Sequence, residues 1–258
     1  MKVKVFLLKR KWFAAAGCVL AAAVMLGVVN APAVVEAAAA KRQLPIYCVQ
    51  RDQKMLSISF DAAWGNEDTQ QLIDILGKYD IKATFFVVGE WVDKYPESVK
   101  ALADAGHEVM NHSNTHAHMS QLSADEIIAD VTACNEKIEK VTGVCPTLIR
   151  PPYGEYDDNV ISAIRSMDME PIQWDVDSLD WKDLSAAEIT KRVTTKIQAG
   201  SIVLFHNAAL HTPEALPGII ENLLQQGYTF VPISQIILPG ECNVDYTIDH
   251  TGKQCPAS

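Results

Sequence analysis

The sequence predicts an α/β protein in which parallel strands alternate with helices in a barrel-like arrangement. Short apolar runs rich in β-branched and aromatic residues alternate with longer amphipathic stretches along most of the chain. Several amphipathic stretches end in glycine just before the next apolar run, as helices commonly do. Strands separated by helices form parallel βα units, which either an open doubly wound sheet or a closed barrel can contain.

Seven apolar runs are predicted strands: MLSISF (55–60), ATFFVV (83–88), HEVMNH (107–112), TLIRPP (147–152), PIQWDV (171–176), SIVLFH (201–206) and YTFVPI (228–233). Six predicted helices lie between or before them, at 67–80, 97–106, 123–143, 157–168, 186–200 and 214–227. No G-x-G-x-x-G follows the first strand and no G-x-x-x-x-G-K-[ST] occurs anywhere. The main signatures of a nucleotide site are therefore missing, and a barrel is favoured.

The first 40 residues read as a signal peptide or N-terminal membrane anchor. Basic residues between Lys2 and Lys11 precede an apolar run from Trp12 to Val29, and small residues follow it. A run of this length could also span the membrane as a helix, so cleavage and anchoring both remain open. Basic residues before such a run stay in the cytoplasm. We therefore expect the rest of the chain to be extracytoplasmic, either secreted or anchored to the outer face of the membrane.

The remaining chain divides into a connector at 41–53, one domain at 54–240 and a C-terminal tail at 241–258. The 258 residues are 48% hydrophobic, which suits one domain with a sizeable core. No CxxC occurs, which argues against a zinc ribbon. Outside the membrane, Cys242 and Cys255 could close the tail in a disulfide, although the pairing of the cysteines stays open.

The charge balance argues against nucleic acid as a partner. The formal net charge is −10, and five of the 22 basic residues precede the apolar run, so the exported part is more acidic still. A basic face for nucleic acid or anionic lipid is therefore not expected. The oligomeric state stays open.

Titratable side chains recur at or just past the carboxyl ends of the predicted strands: Asp61, His112, Arg150, Asp175 and His206. In a parallel barrel these ends converge on one rim, where active sites are built. Any one of the five could simply mark the place where a strand becomes a loop. All five together predict a site.

The segment HSNTH places His112 and His116 four residues apart, so both imidazoles can face one point. Paired histidines are common ligands of borderline divalent ions such as zinc. Two ligands alone also occur by chance on a surface, and His118 lies close enough to make the choice of ligands ambiguous.

The segment IRPPYG leaves a strand through Pro151 and Pro152, which fix the backbone and remove two N–H groups. The N–H of Tyr153 can then be directed at a developing oxyanion, and Arg150 can bind a carboxylate by paired hydrogen bonds. The alternative for this segment is a rigid turn without a chemical role.

The segments DVDSLDW and LFH complete the set. A histidine hydrogen-bonded to an aspartate holds its proton more tightly and can act as a general acid, which His206 and Asp180 could do. Trp181 and Leu204 could form a small apolar slot beside them.

In their order and residues, these segments resemble the motifs of the carbohydrate esterase family 4 polysaccharide deacetylases, the NodB-homology domain. The similarity runs from about residue 54 to 237 and is closest to the sporulation-associated, PdaB-like members. It implies a distorted (β/α) barrel of about seven parallel strands. It also implies removal of acetyl groups from N-acetylated amino sugars in peptidoglycan or a chitin-like polymer.

The resemblance also implies roles for individual residues. Asp61 would be the general base that activates water, Arg150 would orient it, and His206, tuned by Asp180, would protonate the leaving amine. His112 and His116 would bind the divalent metal, with zinc as the expected ion. The Tyr153 N–H would hold the oxyanion. The substrate-binding residues would be Trp181 and Leu204, which receive the acetate methyl, together with Pro151 and Pro152.

One position departs from the family pattern. The usual first motif has two adjacent aspartates, the base and then a metal ligand, whereas here the second is Ala62. Water or Glu67 would have to replace the missing ligand. A non-catalytic wall-binding or sporulation scaffold that retains the barrel is therefore the alternative to a deacetylase. Which sugar carries the acetyl group, glucosamine or muramic acid, stays open.

Overall fold

The computed structural model describes residues 42–257. The predicted signal peptide or anchor at residues 1–40 lies outside the described residues. Between residues 42 and 257, no helix combines the length and the apolar character needed to cross a membrane.

Within the described residues, eleven strands form one sheet. They are β1 (Cys48–Val49), β2 (Met55–Ala62), β3 (Thr84–Val87), β4 (Glu108–Asn111), β5 (Leu148–Ile149), β6 (Glu170–Pro171), β7 (Val176–Asp177), β8 (Ser201–His206), β9 (Thr229–Phe230), β10 (Tyr246–Ile248) and β11 (Lys253–Pro256). The order across the sheet is β10-β11-β1-β8-β2-β3-β4-β5-β6, with β7 paired to β8 and β9 to β2.

The α-helices of the described region are α1 (Thr69–Lys78), α2 (Gly89–Lys94), α3 (Pro96–Asp104), α4 (Ala124–Thr142), α5 (Asp158–Arg165), α6 (Ala186–Thr194), α7 (Thr212–Gln225) and α8 (Ile233–Ile236). Short 3₁₀ turns lie at Met119–Gln121, Pro152–Gly154 and Asp180–Lys182. Helix α4 begins with a capping box between Ser123 and Glu126, which satisfies N–H groups at the helix start. It ends at Gly143, whose φ of 75° is left-handed.

The predicted barrel of parallel strands is confirmed. Every ladder among β2 to β9 is parallel. Strand β7 follows β6 in the chain but pairs with β8, on the far side of the sheet, so the sheet curls into a distorted barrel. The carboxyl ends of β2, β3, β4, β5 and β8 therefore approach one another, and this rim carries the site.

Two sequence predictions differ from the structure. The run PIQWDV is not one strand, because it divides into β6, which ends at Pro171, and β7, which begins at Val176. The predicted connector contains β1, and the predicted tail contains β10 and β11. These strands are only two to four residues long and take their stability from neighbours in the sheet, so they leave little periodicity in the sequence.

The main hydrophobic core lies between the sheet and its helices. Phe60 of β2 stacks against Phe85 of β3 at 4.7 Å and against Phe205 of β8 at 5.6 Å. Each of these rings is at most 1% exposed. Phe205 lies one position, and Phe60 and Phe85 two positions, before the carboxyl end of its strand. Their packing therefore holds the strand ends at the rim in fixed positions.

Candidate active site

Asp61 and His206 lie directly opposite each other in the register of the parallel pair β2 and β8. Both line a cavity of about 380 Å³ at the rim. The cavity brings together seven of the residues predicted from the sequence: Asp61, His112, His116, Tyr153, Trp181, Leu204 and His206.

Arg150 holds Asp61 by a buried ion pair, with 2.7 Å between Nη1 and Oδ1. The guanidinium is fully buried and also donates through Nη2 to the Ser59 hydroxyl and the Gln173 carbonyl. Burial alone would raise the pKa of Asp61, but the nearby charge of Arg150 together with His112 and His206 lowers it below its ordinary value. Asp61 is therefore an ionised carboxylate at neutral pH, as a proton acceptor must be.

His112 is oriented by the backbone carbonyl of Arg150. Its Nδ1 lies 2.7 Å from the Arg150 carbonyl, which can only accept, so Nδ1 carries the proton. Nε2 then lies 3.5 Å from Oδ2 of Asp61 with its lone pair available. Burial lowers the pKa of His112 despite the neighbouring carboxylate, so the ring is neutral and can act as a nitrogen donor.

His116 faces His112, with 5.0 Å between the ring centroids. Its backbone is left-handed, with a φ of 56°, which turns the loop back towards the cavity. Burial, reinforced by repulsion from His112, lowers the pKa of His116 to about 4. Both imidazoles are therefore in the neutral form that binds metal ions.

The described residues do not complete a metal site of the usual catalytic kind. Catalytic zinc is normally held by three protein ligands and a water. No group of three His, Cys, Asp or Glu side chains between residues 42 and 257 is placed to hold an ion. Glu67, the predicted substitute, is exposed, accepts from the Asn66 N–H and does not line the cavity.

Ala62 itself faces away from the cavity. It is 1% exposed and belongs to the apolar cluster beneath the helices. The alternation of side chains along β2 places Asp61 and Ala63 at the cavity instead. The position that the family pattern assigns to a carboxylate is therefore filled by a packed methyl group.

Asp180 fixes His206 from below. The His206 Nδ1 lies 2.8 Å from Oδ1 of Asp180, and Oδ2 accepts from the His206 N–H and the Thr212 hydroxyl. Burial alone would lower the pKa of His206, but the hydrogen bond to Asp180 and the charges of Asp61 and Asp180 raise it above its ordinary value. His206 therefore keeps its proton to higher pH, and Nε2 is the nitrogen left to donate.

Tyr153 also lines the cavity. Its φ of 62° is left-handed, and its ring packs between His118, stacked at 4.2 Å, and His116, edge-on at 4.5 Å. His118 does not line the cavity, and its Nδ1 lies 2.9 Å from Oε2 of Glu155. The direction of the Tyr153 N–H towards an oxyanion stays a prediction.

Three predicted residues, Pro151, Pro152 and Asp175, neither line the cavity nor hydrogen-bond to the side chain of a residue that does. Pro151 and Pro152 are buried and lie outside its lining, so the structure places them as supports of the loop. Asp175 accepts hydrogen bonds from the Ser201 hydroxyl and the Ile202 N–H, at the opposite end of β8 from His206. The expectation that Asp175 belongs to the rim was wrong, because the break between β6 and β7 places it before a strand and not after one.

The structure adds Ala63, Trp64, Trp174 and Asp177 to the cavity lining. Trp64 stands out because its indole stacks on His206 at 6.5 Å and meets His116 edge-on at 6.0 Å. An aromatic residue three positions after Asp61 is visible in the sequence, but nothing in its spacing distinguishes a residue that lines the site from a core residue.

Asn207 was also missed, and it clamps the loop that carries Trp64. Its backbone N–H donates to the Asp61 carbonyl, its Oδ1 accepts from the Ala63 N–H, and its Nδ2 donates to the carbonyls of Trp64 and Gly65. The side chain is 2% exposed. Asn207 thus continues the β2–β8 pairing beyond the strand ends and ties the loop after Asp61 to the strand end at His206.

Known proteins are similar to this chain in both sequence and fold. A profile of the polysaccharide deacetylase family matches residues 49–172. The chain is 38% identical over 188 residues to peptidoglycan-N-acetylmuramic acid deacetylase PdaC of Bacillus subtilis, which covers 73% of this chain and 40% of PdaC. It is 30% identical over 199 residues to peptidoglycan-N-acetylmuramic acid deacetylase PdaA of Bacillus subtilis, which covers 76% of each protein. The chain thus spans less than half the length of PdaC.

A solved structure of similar fold is that of BA3943 from Bacillus anthracis, described as a CE4 family pseudoenzyme. It has a TM-score of 0.72 and 38% identity, covering 74% of this chain and 68% of that one. A mutant of BA3943, with the same TM-score of 0.72, 39% identity and coverage of 74% and 70%, is described as having restored enzymatic activity.

Proposed function

The chain belongs to the polysaccharide deacetylase family, and from that premise we propose that it removes N-acetyl groups from amino sugars of a cell-wall glycan, peptidoglycan or a chitin-like polymer. The observation that carries the proposal is the pairing of an ionised carboxylate, Asp61, with a histidine of raised pKa, His206, across one cavity. Two titratable groups whose environments separate their pKa values in this way can serve as base and acid.

The geometry supports hydrolysis of an amide in two steps. Asp61 accepts a proton from water as the water oxygen bonds to the acetyl carbon, and a tetrahedral oxyanion forms. His206 then donates its proton to the amide nitrogen, the carbon–nitrogen bond breaks, and acetate and the free amine leave. Leu204 and Trp181 line the cavity where the acetyl methyl would lie.

The other features of the proposal rest on the sequence. His112 and His116 are the donors through which a divalent ion such as zinc would bind. The basic residues before the first apolar run support action outside the membrane. A link to sporulation is supported only by the resemblance to PdaB-like members.

A second candidate function is non-catalytic binding of the wall or a scaffold role. Ala62 at the expected ligand position and the lack of a three-ligand group in residues 42–257 favour it. The description of BA3943, which has a similar fold, as a pseudoenzyme also favours it.

Acetate release separates the two candidates. The full chain is incubated with purified peptidoglycan and with chitooligosaccharides, with and without added zinc or cobalt. A deacetylase releases acetate in proportion to enzyme and leaves free amines on the glycan. A scaffold binds the same glycan and releases none.

A further inference from the structure

We propose that Trp64 is a specificity-determining residue whose indole face binds a sugar ring of the glycan at the mouth of the cavity. The proposal rests on the proposed function for the chemical class of the ligand. It does not depend on catalysis, because a scaffold that binds glycan through the same cavity would use the same wall.

Three exposed aromatic side chains share this cavity. In the described part of the chain, three large aromatic residues are exposed: Trp64 is 54% exposed, Tyr153 55% and Trp181 53%. The other four exposed large apolar residues there are aliphatic and lie outside the cavity lining. All three aromatic residues line the cavity. Exposed aromatic surface gathered at one cavity marks a binding site for a ligand with apolar faces.

The indole of Trp64 is presented on a fixed loop. Asn207 holds the carbonyls of Trp64 and Gly65, and the Trp91 indole N–H donates to the same Gly65 carbonyl at 2.6 Å. Gly65 has a φ of 48°, and a Cβ there would come within 2.7 Å of the Ala208 Cβ, so the turn requires glycine. A rigid aromatic wall loses little conformational entropy on binding.

The position of the ring identifies what it would contact. Trp64 lies nearly parallel to His206, at 18°, and edge-on to His116. The amine that His206 protonates is attached to a sugar ring, so that ring must pass beside the indole. A sugar offers a face of C–H groups and an edge of hydroxyls. An indole offers an apolar face and one N–H donor, which matches both.

The alternative is that Trp64 serves the site only by packing on His206. A packing role would change the protonation of His206 and move the alkaline limb of the pH profile. A binding role changes affinity for the glycan and leaves that limb in place. The two roles therefore have separate readouts.

The test measures binding of chitotetraose by calorimetry in an Asp61→Asn background, in which turnover cannot consume the ligand. Burial of an aromatic face corresponds to about ten- to hundredfold in Kd. We expect Trp64→Ala to weaken binding to that extent and Trp64→Phe to retain affinity within a few-fold. Val144→Ala, a change at an exposed apolar residue outside the cavity lining, is the matched control and should not change Kd.

Several results would overturn the proposal. One is an unchanged affinity for chitotetraose in Trp64→Ala while Trp181→Ala loses binding. Another is an equal loss of affinity in Trp64→Ala and Trp64→Phe. A third is a shifted alkaline limb of the pH profile when Trp64→Ala is made in the otherwise wild-type enzyme. Absence of any glycan binding by the parent would overturn it together with the proposed function. Binding that depends on Trp64 in a protein that releases no acetate would support this proposal and contradict the proposed function alone.

Discussion

Asp180 places both of its carboxylate oxygens on His206, one on the ring nitrogen Nδ1 and the other on the backbone N–H, each at 2.8 Å. One buried carboxylate therefore fixes the tautomer and the orientation of the imidazole. In the proposed reaction His206 is the acid of the site, and Asp61, on the neighbouring strand, is its base.

The His206–Asp180 contact predicts a defined pH response. The folded-state pKa of His206 is raised, so its acid form is present at low pH and is lost as pH rises through that raised value. Asp180→Asn removes the charge and the strongest acceptor, so the alkaline limb of kcat against pH should move to lower pH. His206→Ala should remove the limb. An unchanged limb in both variants would assign the acid to another residue.

The Arg150–Asp61 pair predicts a large loss of stability on truncation. Arg150→Met leaves a buried carboxylate without its partner, which typically costs about 3–5 kcal/mol. The depressed pKa of Asp61 contributes stability above its unfolded-state pKa, and this contribution is lost as pH falls through the folded-state value. In Arg150→Met, burial without the guanidinium raises the pKa of Asp61, so the loss of stability on acidification should shrink or reverse. Urea unfolding of both proteins across acidic pH measures it, and a coincident pH dependence would contradict it.

The proposed metal site predicts an order of zinc affinities among variants. The family pattern has a metal-binding carboxylate at position 62, so Ala62→Asp should tighten zinc binding once its side chain turns out of the apolar cluster towards the two imidazoles. Because Ala62 packs in the apolar cluster, the same change should lower the Tm of the metal-free protein. Zinc should restore that Tm. Calorimetric titration of Ala62→Asp, wild type and the His112→Ala/His116→Ala double variant should give affinities in falling order.

Ala63→Asp is the matched control for this series, since Ala63 lines the cavity and is only partly buried. Its carboxylate stays at the cavity, so it should cost less stability than Ala62→Asp, and it should bind zinc less tightly if position 62 is the ligand position. Tighter binding by Ala63→Asp would move the missing ligand by one position. Equal binding by wild type and the double histidine variant would exclude HSNTH as a metal site.

The hydrogen bonds of Asn207 predict a loss of stability when this side chain is removed. Asn207→Ala leaves the Ala63 N–H and the Trp64 carbonyl without their partner, at about 1–3 kcal/mol for each buried group that finds no water, while the Gly65 carbonyl keeps the Trp91 indole N–H. The free energy of unfolding should fall by at least that amount. Asn222→Ala, on the exposed surface of α7, is the control and should change it little. Equal stability in the two variants would show that the loop does not depend on Asn207.

The sequence alone predicted the parallel barrel and most of the residues that line the cavity, and the reason is physical. Helices and buried strands carry strong periodicity, and parallel βα units bring strand ends to one rim whatever the details of the loops. Asp61, His112 and His206 could therefore be placed together without coordinates. The family resemblance supplied their roles, which remain predictions.

The sequence could not predict features that depend on backbone direction. Asp175 was misplaced because a break between β6 and β7 leaves no mark in an apolar run. Asn207 and Trp64 were missed because their importance lies in contacts between loops that are distant in sequence, from residues 61–65 to residue 207. The burial of Ala62 follows from side-chain alternation, which a single residue type at a strand end does not reveal.

The central claim is that Asp61 is the base of an acetyl-removing site, and the most direct measurement is acetate release from purified peptidoglycan by Asp61→Asn. The control is Asp175→Asn, since both carboxylates were predicted at the rim from the sequence but only Asp61 lines the cavity. General-base loss typically costs about 10²–10⁴-fold, so Asp61→Asn should fall by that factor while Asp175→Asn stays within a few-fold of wild type. Asp61→Asn activity close to wild type, or no acetate from any of the three proteins, would contradict the claim.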